Sequence, residues 1–207
     1  MLHAAGKAHG AEATSTGINH VKLLMWTFLA SECMFFGSLI STFLVYNGRS
    51  RTGPHPWEIL DIPYTTISAF VLLLSSLMMV LALHAIQRGD VHRMRVWLLA
   101  TAGCGLVFLG GQYFEFTTFF HHGLHLNTNL FGTTFFVLTG FHGAHVTIGV
   151  IWLLSLVAAS FRGLIQRENS LNVEIAGLYW HFVDVVWIVI FTVVYLIPVS
   201  QAPPVPH

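Results

Sequence analysis

The stretch KLLMWTFLASECMFFGSLISTFLVY, Lys22 to Tyr46, decides the fold class. It is long enough to cross about 30 Å of hydrocarbon at about 1.5 Å per helical residue, a task that takes about 20 residues. Leu23, Leu24, Phe28, Phe35, Phe36, Leu39, Ile40 and Phe43 supply the driving force. With the other apolar side chains they sum to roughly −5 kcal/mol on an insertion scale, against about +3 kcal/mol for the one acid, Glu32. The segment therefore inserts as a helix. Counted from Lys22, Glu32 lies about 15 Å along it, close to the bilayer midplane.

Four further apolar runs follow: Tyr64 to Ile86, Val96 to Phe120, Phe131 to Phe161 and Ala176 to Pro198. Over the whole chain 55% of residues are hydrophobic and only 9% charged, with a mean hydropathy of +0.69. Soluble domains carry roughly 25% charged residues. The expectation is an all-α membrane protein, a bundle of five transmembrane helices (22–46, 64–86, 96–120, 131–161 and 176–198). It is flanked by a flexible N-terminal tail (1–21) and a short C-terminal tail (199–207). The tail Met1 to Gly17 lacks the apolar core of a cleavable signal. The longest connection, Asn47 to Pro63, leaves no room for a soluble domain.

The basic residues orient the bundle. Lys7, Lys22, Arg88, Arg93, Arg95, Arg162 and Arg167 fall on one side, and only Arg49 and Arg51 on the other. By the positive-inside rule the N-terminus is cytoplasmic and the C-terminus periplasmic. No basic stripe suits nucleic acid.

Submerged polar residues carry the functional information. Besides Glu32, the third run holds Gln112 and Glu115, the fourth His142 and His145, and the fifth His181 and Asp184. Each pair is spaced i, i+3 and shares a helix face. A shared internal network satisfies such groups at least cost. Helix rise places Glu115 and His142 at one height, where they can meet, and Glu32 and Asp184 in a different layer. Polar residues also act as glue between membrane helices, a purely structural reading of Gln112, Glu115, His142 and His145. Glu32 has only Ser31 within a turn, so its partner lies on another helix or subunit, or it is held protonated.

The remaining features are less specific. His84 reads as interfacial, and Cys33 and Cys104 as small packing residues. His121, His122 and His125 cluster in an outer loop without the fixed geometry of a metal site, so no metal is assigned. Gly37/Ser41, Thr101/Gly105, Gly140/Ala144 and Gly143/Thr147 are small pairs four apart that mark helix contacts.

At these residues a family emerges. Phe135 to Val146 (FFVLTGFHGAHV) and Tyr179 to Trp187 (YWHFVDVVW) closely resemble subunit III of the haem-copper cytochrome c oxidases. Ser31 to Gly37 and Gln112 to Glu115 resemble the same family in the same order. The resemblance implies a subunit with no catalytic residue, haem or copper of its own. Haem and copper are expected on its partners, catalytic subunit I and subunit II, with a small subunit IV as a further companion. It also implies bound phospholipid, support of proton uptake, and a bacterial inner-membrane location. Glu32 matches the family's carbodiimide-reactive glutamate, and Arg162 is similar in placement to its lipid-headgroup arginine. Longer members carry seven helices and this chain resembles the last five, so the lipid cleft needs a neighbouring subunit to complete it.

Rival readings are a quinol oxidase subunit III and the related five-helix protein of nitric oxide reductases. From other classes come a haem b cytochrome ligated from among His84, His142, His145 and His181, and an independent proton carrier. The carrier reading finds no internal repeat to support it.

Overall fold

The computed structural model describes residues 19–46, 62–121, 123–125 and 129–197. The connection from Asn47 to Asp61, His122, most of the N-terminal tail and the C-terminal tail lie outside the described residues. Five long helices appear, all apolar enough to span a membrane: α1 (His20–Tyr46), α2 (Ile62–Gln87), α3 (Val91–His121), α4 (Leu130–Phe161) and α5 (Ser170–Ile190). A short 3₁₀ turn (Arg167–Asn169) leads into α5, which starts six residues ahead of its apolar run. Beyond Ile190 the helix continues as a π-helical turn, Phe191–Leu196.

Backbone groups that lack helical partners must be satisfied locally, because the bilayer offers none. At Gly89 (φ 81°) and Gly163 (φ 73°) the chain turns into the left-handed region, which glycine enters without steric cost. The amides of Asp90 and Gly89 then cap the Ala85 and Ile86 carbonyls, and those of Leu164 and Gly163 cap Ala159 and Ser160. This double closure is the Schellman arrangement. Asp90 at once starts α3, its carboxylate accepting from the Arg93 amide at 2.9 Å. Asn129 does the same for α4, accepting from the Gly132 amide at 2.7 Å.

Helices α2, α3, α4 and α5 close a ring: α2 packs on α3 and α5, and α4 on α3 and α5. Helix α1 is left outside, lying along α4 and α5. Its most apolar window is 17% buried within the chain, against 56% for the last helix, so α1 is the peripheral element. Its hydroxyls bond back to its own turns: Thr27 to Leu23, Ser31 to Phe28, Ser38 to Phe35 and Thr42 to Ser38. An otherwise unpartnered helix surface thereby presents few free donors to lipid. At its N-terminal end Lys22 bridges to Glu174 on α5 at 2.6 Å.

Fully buried Trp180 fills the ring, and absent side chains make room for it. A Cβ on Gly105 would lie 2.7 Å from its indole, and one on Gly149 2.9 Å. Gly143 leaves the same kind of space for Gln112. The small pairs thus divide. Gly105 and Gly143 make close approaches, whereas Gly37 and Gly140 meet nothing within 4 Å among the described residues.

Candidate functional site

The polar residues do not form one shared network. They separate into a seam between α1 and α4 and several isolated contacts inside the ring.

At the seam, His145 Nε2 stands 3.2 Å from Glu32 Oε2, with both side chains largely covered. His145 Nδ1 lies 2.7 Å from the Phe141 carbonyl oxygen, which only accepts, so Nδ1 carries a hydrogen. Nε2 is thereby left as the ring nitrogen turned toward Glu32. The ion-pair distance is met but hydrogen-bond alignment is not, and Oε2 has no bonded partner. Phe36 packs edge-on to the imidazole at 5.0 Å, and the Tyr179 hydroxyl donates to the His145 carbonyl at 3.0 Å. Apolar walls and a helix-borne acceptor thus hold the imidazole against the acid at the seam.

Inside the ring, Gln112 Nε2 donates to the Thr139 carbonyl at 2.7 Å. Glu115 accepts from Thr65 on α2 at 3.1 Å and from Tyr195 at 3.0 Å, one donor on each oxygen. The π-helical turn brings Tyr195 to this position by adding a residue to the local repeat. His142 is fully buried, stacked on Trp187 at 4.9 Å and edge-on to Phe108 at 5.7 Å. Neither of its nitrogens is hydrogen-bonded. The expected meeting of Glu115 with His142 therefore does not occur, because aromatic rings occupy the imidazole's surroundings. His142 and His145 also part company. Three residues leave a net offset of about 60° around the helix axis, enough here to put one imidazole in the ring and the other at its edge.

His181 Nδ1 contacts the Ser76 hydroxyl on α2 at 2.5 Å. Asp184 is 2% exposed, and neither carboxylate oxygen has a hydrogen-bond partner, although Ser76 lies beside it. Trp180 Nε1 donates to Ser75 at 2.8 Å.

Thr65, Ser75, Ser76 and Tyr195 carry interactions that sequence reading did not single out. Serines and threonines in membrane helices commonly bond their own backbone, as Thr66 does, so residue type alone does not separate the two uses. Arg162 is exposed at the end of α4. Arg95 on α3 is the more constrained arginine. It donates to Ser160 Oγ and O at 2.8 and 2.6 Å, lies 4.3 Å over the Phe161 ring, and lines a polar pocket of about 410 Å³. His84, His121 and His125 are exposed, and among the described residues no group of three metal-ligating side chains forms. Cys104 Sγ packs 3.9 Å from Met78 Sδ, whereas Cys33 is exposed and is not a packing residue within this chain.

Two apolar grooves flank α1. One, of about 590 Å³, is lined by Leu24, Met25, Phe28, Trp152 and Ile175. The other, of about 430 Å³, is lined by Trp26, Leu29, Cys33, Leu178, His181 and Phe182.

Comparison with known proteins decides the family. The family model for cytochrome c oxidase subunit III matches residues 3–199. The chain belongs to the cytochrome c oxidase subunit III family. It is 41% identical over 172 residues to quinol oxidase subunit 3 of Bacillus spizizenii, covering 83% of this chain and 84% of that one. It is 37% identical over 184 residues to cytochrome c oxidase subunit 3 of Bacillus sp. (strain PS3), covering 89% and 88%. With cytochrome c oxidase subunit 3 of Thermostichus vulcanus the identity is 36% over 195 residues, covering 90% and 96%. Subunit III membership makes this a multi-pass bacterial membrane protein and a component of a multisubunit haem-copper oxidase.

Proposed function

We propose that this chain is the non-catalytic subunit III of a proton-translocating cytochrome c oxidase of a bacterial inner membrane, with its N-terminus in the cytoplasm. It sits beside catalytic subunit I, with subunit II and a small subunit IV in the same complex. Haem and copper reside on those partners, and this chain stabilises the catalytic subunit and supports its proton uptake.

The Glu32–His145 pair carries this reading. An acid and an imidazole brought within 3.2 Å of each other deep in spanning helices are tolerable where protein and lipid exclude water, and such groups are functional candidates by default. Helix α1, which bears the acid, is the element with the most surface free for a neighbour. The flanking grooves are apolar and elongated along α1, as acyl chains require, which supports bound phospholipid. Arg162 and Arg95 at the basic ends of the helices suit the headgroups.

Tag purification of this subunit from membranes is the test. Catalytic subunit I and a copper-bearing subunit II are expected to copurify, with oxygen uptake driven by reduced cytochrome c. A single chain bearing its own haem spectrum would sink the proposal. A second reading, quinol as electron donor, draws support from relatives named quinol oxidase subunit 3. Oxygen uptake with quinol and none with cytochrome c selects it.

A further inference from the structure

Where α2, α3 and α5 meet inside the ring, they enclose a cavity of about 10 Å³. Its wall includes Tyr64, Ser68, Gly111, Gln112, Glu115 and Trp187. A water molecule needs about 10–15 Å³ by this measure and two to four polar partners, so the space suits one molecule and no larger ligand.

Trp187 is the decisive residue. It is 2% exposed, and its indole Nε1 makes no hydrogen bond within the chain. An indole N–H buried without an acceptor loses the full free energy of its desolvation, which is why such groups are almost always partnered. Protein atoms elsewhere hold the ring in place: Trp187 stacks on His142 at 4.9 Å and meets Phe108 edge-on at 4.7 Å. The ring cannot turn to seek a partner without giving up both contacts.

Acceptors stand on the same wall. The Glu115 carboxylate takes one hydrogen bond on each oxygen, from Thr65 and from Tyr195. A carboxylate offers about four lone-pair sites, so capacity remains for another donor. Ser68 adds a hydroxyl from α2.

We infer that this cavity is a binding site for a single structural water, which accepts from Trp187 Nε1 and donates to the Glu115 carboxylate and Ser68. The water joins α5 to α3 and α2 at one point. It adds a contact from α5 to Glu115, which also accepts from Thr65 on α2 and from Tyr195 in the π-helical turn.

Electron cryo-microscopy of the intact oxidase, at a resolution that shows ordered water, tests the assignment. A peak is expected within about 2.7–3.2 Å of Trp187 Nε1 and at similar distance from Glu115 or Ser68. Trp187→Phe keeps the stacked ring and removes the donor, and the peak is expected to vanish from the map. Gly111→Ala would place a Cβ 3.0 Å from Tyr64 Oη and 3.5 Å from Ser68 Oγ, and is likewise expected to expel it. A wild-type map with no peak, or with Nε1 bonded directly to a protein acceptor, overturns the inference. So does a peak that persists unchanged in Trp187→Phe. The wild-type map decides the matter even where a variant does not assemble.

Discussion

The ring of α2 to α5 and the seam where α1 lies on it both bury acids beside aromatic residues, yet they treat them differently. In the ring, Glu115 is gripped by two hydroxyl donors from different elements, and Gln112 is seated on a carbonyl that only a glycine neighbour leaves accessible. At the seam, Glu32 has one imidazole at 3.2 Å, imperfectly aligned, and apolar grooves on either side. Hydrogen bonds from two elements to one acid fix helix positions. A single misaligned contact leaves a group able to change its proton or its partner.

Overpacking the ring is expected to have the largest effect. Gly105→Val sets side-chain atoms against Trp180 and Val150, where even a Cβ would lie 2.7 and 2.8 Å away. The expected loss is about 3 kcal/mol, read as a lowered melting temperature of the complex and reduced recovery of the subunit in purified oxidase. Near-normal recovery would mean that the ring is looser than its geometry implies.

Tyr195→Phe comes next. It removes one donor from Glu115 while keeping the ring stack with Phe191 at 5.6 Å. Leaving a buried acceptor short of a partner costs about 1–2 kcal/mol, to be measured by thermal denaturation beside the parent oxidase. A neutral result would show that Glu115 is already satisfied by other donors.

The smallest effect on stability belongs to the seam. Glu32→Gln is expected to cost about 0.6 kcal/mol, the typical worth of one polar contact between membrane helices. Assembly should persist while carbodiimide labelling of the subunit disappears. Loss of the whole subunit from the complex would place Glu32 among the structural residues and erase the distinction drawn above.

Much of this was legible in the sequence. Five spans followed from hydropathy and helix rise, because lipid permits few alternatives to a hydrogen-bonded helix. The polar residues could be picked out by their cost at mid-membrane. Their partners could not. Reading i, i+3 spacing as a shared face put His142 and His145 into one network. Each helix has several neighbours, however, and a net offset of about 60° plus one turn of rise sends the two imidazoles to different ones. Thr65, Ser76 and Tyr195 gave no signal, since a hydroxyl on a membrane helix usually serves its own backbone. Tyr195 also depends on a local change of helical repeat that no composition rule anticipates.

The sequence by itself determined that this chain enters a membrane as helices and which family it joins, because insertion depends on side-chain transfer energies summed along one segment. Only the tertiary structure decided that four helices close a ring and leave α1 outside, that Glu32 meets His145, and that Trp187 faces a water-sized space. Those outcomes depend on rotation and depth between helices, which packing of shapes such as Trp180 against Gly105 and Gly149 sets, and which no single segment encodes.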